Sequence, residues 1–103
     1  MTLMEFSMIP LDKGASFSRY VARSLDIIDR SGLEYRLTPM GTVVEGEWAD
    51  LTALLTACFE ALEEVSDRIS ISAKFDHRRG RSGRLDSKIF SVEKSLGREV
   101  KKG

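Results

Sequence analysis

One cysteine, two prolines, one histidine and one tryptophan are all that 103 residues hold of these four types. The single thiol, Cys58, excludes an internal disulfide and offers no metal cluster. The single histidine, His77, has no second nitrogen or thiol ligand beside it in sequence and makes a poor metal site; it reads as a solvent-exposed loop residue. Net charge is missing as well. Sixteen basic residues balance sixteen acidic ones, so no whole-protein field draws in nucleic acid or anionic lipid. No apolar run reaches the length of a membrane span. The start, Met1 to Phe6, lacks the basic residues and long apolar core of a secretory leader. These absences together predict a cytoplasmic protein without nucleic-acid or membrane partners. No serine sits in a nucleophile elbow, and no glycine run has phosphate-loop spacing. Without a general base and nucleophile pair, the chain reads as a non-enzyme.

What is present suffices for one modest core. A hydrophobic share of 42% is ordinary for a globular chain, and the length suits one domain rather than two. One domain over residues 1–97 with a frayed tail over 98–103 is expected. Leu3 to Ile9 alternates as a strand, with Met4, Phe6 and Met8 on one side, and Pro10 ends it. Ser16 is placed to cap a helix whose stripe is Phe17, Tyr20, Val21, Ser24, Leu25 and Ile28, with Gly32 as its stop. Leu33 to Leu37 and Thr42 to Glu45 read as two strands joined through Pro39 and Gly41. Leu51, Leu54, Leu55, Cys58, Leu62 and Val65 form a second helical stripe, on which Cys58 reads as a buried small hydrophobe. Arg68 to Asp76 alternates cleanly, and Leu85, Ile89, Val92 and Leu96 mark a last helix ending at Gly97. Strand, helix, strand, strand, helix, strand is the ferredoxin-like split βαβ order, an α+β fold with an antiparallel four-stranded sheet and an extra C-terminal helix.

That topology assigns faces. Met4, Phe6, Met8, Tyr35, Leu37, Ile69, Ile71, Ala73 and Phe75 belong under the helices. Glu5, Ser7, Glu34, Arg36, Thr38, Ser70, Ser72 and Lys74 belong on the open face. Val43 and Val44 leave the third strand's phase ambiguous, and Glu45 decides it. A carboxylate beneath two helices would be costly to bury unpaired, so Glu45 and Val43 point to the open face. The hairpin block from Thr38 to Trp48 also carries the chain's chemistry. Two carboxylates, Glu45 and Glu47, stand beside the only tryptophan, a mixture that suits a small polar aromatic ligand better than bond-breaking.

Met4 to Leu11, Tyr20 to Arg23, Tyr35 to Thr42, Glu45 to Trp48 and Gly80 to Leu85 resemble the small thiamine-binding protein family in the same order over nearly the whole chain. The resemblance implies a ferredoxin-like domain with an added helix, assembled as a homotetramer. It also implies non-catalytic binding of thiamine or its hydroxymethylpyrimidine half, as carrier, buffer or sensor, with no further cofactor. An aminopyrimidine needs acceptors for its exocyclic amine, donors for its ring nitrogens and an apolar surface for its face. Ser7, Thr38, Thr42 and Glu45 can supply the edge contacts, and Met40 and Trp48 the ring surface, around the turn at Gly41.

Each of these residues has a structural reading beside the functional one. Glu45 can form a cross-strand pair with Arg36 or Lys74, Trp48 can pack the start of the second helix, and Met40 can be a loop tip at a subunit contact. The loop from His77 to Arg84 holds Arg78, Arg79, Arg81 and Arg84. It reads as a solvated loop or a set of partners for acidic residues of a neighbouring copy, since Asp76 and Asp86 flank it and no aromatic lies within it. The alternative is an anion-effector site at Arg81 and Arg84 in a structural or regulatory homo-oligomer.

Overall fold

Met4, Phe6 and Met8 recur at the period of a strand, and all three are buried. They line the inner face of β1 (Thr2–Pro10) in the computed structural model, which describes residues 1–14 and 18–101. The remaining elements are α1 (Ser18–Arg30), β2 (Glu34–Thr38), β3 (Gly41–Gly46), α2 (Trp48–Glu63), β4 (Ile69–His77) and α3 (Arg84–Leu96). The expected cap at Ser16 and the first stripe residue, Phe17, lie outside the described residues. The sheet runs β2-β3-β1-β4, antiparallel throughout. This is the ferredoxin-like fold with an added C-terminal helix.

Opposed residues of an antiparallel pair project to one face, so the register sorts the sheet into rows. Tyr35, Val44, Met4 and Phe75 form one row, and Leu37, Thr42, Phe6 and Ala73 the next. Both rows lie on the side of α1 and α2. Glu34, Glu45, Leu3 and Asp76 share a row on the other side, as do Arg36, Val43, Glu5 and Lys74. The phase inferred from Glu45 is the phase of the fold. From the helices, Ile28, Leu51, Leu54, Cys58 and Leu62 complete the core.

Three expectations need correction. Leu37 on the edge strand β2 and Ile71 and Ala73 on β4 point to the helix side yet remain exposed. The helices pack on the central strands β1 and β3, so the edge strand β4 is exposed along most of its length, with Ile69 and Phe75 half-buried. Val65 falls beyond the end of α2 and is exposed. His77 is the last residue of β4 rather than a loop residue, with Nδ1 hydrogen-bonded at 2.8 Å to Thr2 Oγ1.

Cys58 is fully buried, and burial pushes its thiol up to about 11. The thiolate is the reactive form, so iodoacetamide at mildly alkaline pH is expected to label Cys58 only on unfolding. Rapid labelling of the folded protein, followed by mass spectrometry, would contradict this packing.

Candidate functional site

The inner face of α1 does not close evenly on the sheet. Ile28, near its C-terminal end, is buried, whereas Val21, near its start, is exposed. The gap between α1, the Phe6–Ile9 segment of β1 and the β2–β3 hairpin is a cavity of about 210 Å³. Phe6, Met8, Leu25 and Leu37 contribute apolar surface, and Ser7, Ser24, Thr38 and Thr42 contribute hydroxyl-bearing residues. No charged residue lines it among those described.

Local chemistry builds the walls. Thr38 Oγ1 donates to the Gly41 carbonyl at 2.8 Å and accepts the Met40 N–H at 3.3 Å, so this hydroxyl is committed to closing the turn. A Cβ at Gly41 would lie 2.8 Å from the Phe6 carbonyl oxygen. Glycine is therefore what lets the hairpin tip sit against β1. The β1–β3 ladder stops at the Phe6–Thr42 pair, whereas the β1–β4 ladder runs on to Pro10–Ile69. From Ser7 onward, β1 has one edge in the sheet and the other toward the cavity. Thr42 is 8% exposed, on the same face as Phe6, and its hydroxyl has no hydrogen-bond partner among the described residues.

Five of the residues singled out in the sequence, Ser7, Thr38, Met40, Gly41 and Thr42, line this one cavity. Glu45 and Trp48 do not. Glu45 is 6% exposed although it points to the sheet face expected to be open. The start of α3 crosses that face, and Glu45 Oε2 accepts the Arg84 N–H at 2.9 Å. A carboxylate there also favours the positive end of the helix dipole. The alternative partner, Arg36, pairs instead with Asp86 of α3. Trp48 opens α2 at the far end of β3, with its ring 4.7 Å from that of Phe75, and packs the helix start against the sheet edge. Arg81 and Arg84 line a different pocket, beside Leu3 and Asp76 on the α3 side of the sheet. The α1 contribution is absent from the residues inferred from sequence. Its signal was Ser24, a hydroxyl interrupting the apolar stripe between Val21 and Leu25.

The family model described as thiamine-binding protein matches residues 4–93. The chain belongs to the thiamine-binding protein family. Its similarity extends to UPF0045 protein YqgV of Bacillus subtilis, 35% identical over 102 residues and covering 93% of this chain and 98% of that one. UPF0045 protein sll0230 of Synechocystis is 33% identical over 92 residues, covering 88% of this chain and 76% of that one. Among solved structures, the hypothetical protein MJ1052 of Methanocaldococcus jannaschii superposes with a TM-score of 0.76 at 29% identity, covering 93% and 95% of the two chains. A Thermotoga maritima protein provisionally assigned to thiamine biosynthesis or salvage superposes with a TM-score of 0.78 at 19% identity, covering 88% of this chain and 97% of that one. At that identity the likeness is one of fold. Thiamine-binding family membership thus rests on sequence over most of the chain, and the shared architecture agrees with it.

Proposed function

We propose that this chain binds thiamine through its hydroxymethylpyrimidine half, without catalysis, in the cavity beneath α1, and that it serves to carry, buffer or sense the vitamin in the cytoplasm. The observation that carries the reading is the Thr42 hydroxyl, which makes no hydrogen bond to the described residues and opens onto a largely apolar cavity without a charged residue among its described lining. A solvent-accessible hydroxyl in such a cavity is free to bond a ligand in place of water. The cavity is smaller than the roughly 300–1,000 Å³ of sites for drug-sized ligands, which favours one substituted ring over two. The absence of charge among its described lining residues favours the neutral pyrimidine over the thiazolium cation, which would be costly to bury unpaired. In this reading Thr42 serves a ring nitrogen, and the Met8 backbone carbonyl, on the edge of β1 away from β4, accepts the exocyclic amine. Ser24 serves the hydroxymethyl group, and Met40 covers a ring face. Glu45 holds α3 instead of the ligand.

Assembly belongs to the same proposal. The exposed edge of β4 and the exposed Phe90, Val92 and Leu96 of α3 are surfaces that a lone chain leaves uncovered. They support a homotetramer built from dimers.

Thr42→Val keeps the shape and removes the hydroxyl. It is expected to weaken hydroxymethylpyrimidine binding about tenfold, the loss of one hydrogen bond of roughly 1–1.5 kcal/mol, while leaving the unfolding midpoint unchanged or slightly raised. Calorimetric titration of the folded variant checks this. Wild-type affinity would remove Thr42 from the site.

A further inference from the structure

The arginine-bearing loop between β4 and α3 builds a second site on the opposite face of the sheet. Arg78, Arg81, Arg84 and Lys88 line a pocket of about 350 Å³ together with Asp76 and Leu3. Four cations therefore face one carboxylate, in a chain whose total charge is zero. The flanking acids that could neutralise the loop are both engaged. Asp76 pairs with Arg84, and Asp86 pairs with Arg36. Arg78, Arg81 and Lys88 are left without a carboxylate partner among the described residues.

The frame is fixed before any ligand arrives. The Arg84 side chain is only 11% exposed and donates to the Asp76 backbone carbonyl at 2.5 Å, besides pairing with its carboxylate. The Arg78 N–H donates to the Met1 carbonyl at 3.2 Å, and the Arg81 N–H donates to the Arg78 carbonyl at 3.3 Å, which closes the turn. Glu45 secures the first N–H of α3 from below. Lys88 then stands one helical turn after Arg84, on the same face of α3. Like charges held together in this way repel, and an anion with several oxygens relieves that repulsion while accepting charge-assisted hydrogen bonds from the guanidinium forks. Among the described residues no aromatic lines the pocket for base stacking, which argues against a nucleic-acid strand.

We propose that Arg78, Arg81 and Lys88, set around the Arg84–Asp76 pair, bind the phosphates of a small di- or polyphosphorylated ligand. Among the described residues the site shares no lining residue with the α1 cavity, so it stands independently of the pyrimidine reading.

Inorganic pyrophosphate is the probe, titrated calorimetrically into the full chain at low salt. Saturable binding that weakens as sodium chloride rises is expected. The double variant Arg78→Ala/Arg81→Ala should lose about tenfold or more in pyrophosphate affinity and bind hydroxymethylpyrimidine as the wild type does. Should the double variant fail to fold, Lys88→Gln, on the exposed face of α3, is expected to lower pyrophosphate affinity severalfold. Absence of pyrophosphate binding would overturn the proposal, as would wild-type affinity in the folded variants. A double variant whose assembly mass falls while its pyrophosphate affinity stays unchanged would assign the arginines to a neighbouring copy. Tighter binding of a single-stranded oligonucleotide than of pyrophosphate, at equal phosphate concentration, would assign them to nucleic acid.

Discussion

Phe6→Ala is expected to cost the fold about 3–5 kcal/mol. Phe6 is 4% exposed and stands between Thr42 and Ala73 in the central row of the sheet. Removing its ring deletes buried apolar surface and leaves a void that the fixed backbone of β1 closes only in part. Domains of this size hold roughly 5–15 kcal/mol in all, so the variant should unfold at a much lower urea concentration. It should also lose ligand, because the same ring forms part of the cavity floor. Urea titration with an unchanged slope would read the loss directly. A midpoint within experimental error of the wild type would mean that Phe6 does not hold β1 under the helices.

Gly41→Val should abolish pyrimidine binding at a smaller cost in stability. The added Cβ would meet the Phe6 carbonyl oxygen at 2.8 Å and the carbonyl carbon at 3.4 Å. These are backbone atoms, and they cannot swing aside. The hairpin tip must lift from β1 instead, at about 1–3 kcal/mol by analogy with overpacked cores. Lifting it moves Thr42 and the turn that Thr38 closes. Met40→Ala is the control at the neighbouring position. Met40 is 87% exposed, and its truncation should leave stability unchanged and reduce binding only modestly. Equal effects of the two substitutions, measured by thermal unfolding and by titration, would show that contact with β1 is not what shapes the site.

Much of this architecture is legible from residue spacing. The alternation of Met4, Phe6 and Met8 and the stripe of Leu51, Leu54, Cys58 and Leu62 mark the faces that become the core. A single costly carboxylate, Glu45, settles the phase of β3. What spacing does not reveal is which element comes to rest on which surface. Glu45 meets the start of α3, 39 residues further along the chain, and nothing local to either segment announces the encounter. Strand geometry also explains why the inferred site divides. Thr42 and Glu45 are three positions apart on β3, roughly 10 Å along the strand at about 3.3 Å per residue, and odd spacing sends them to opposite faces. Thr42 lies at the hairpin end of β3, where the free edge of β1 at Ser7 and the hairpin tip border the cavity, whereas Glu45 and Trp48 lie toward the far end and serve packing there. The exposure of Ile71 and Ala73 has a similar origin. Alternation assigns them a face, but two helices are not wide enough to cover the edge strand as well as the centre.

The most direct test of the pyrimidine-first reading is competition calorimetry on the unmodified protein, with hydroxymethylpyrimidine and the isolated thiazole alcohol each titrated against bound thiamine. Displacement of thiamine by hydroxymethylpyrimidine, with no heat from the thiazole alcohol, is the predicted result. Displacement by the thiazole alcohol, or no binding of thiamine and of either half, would contradict it.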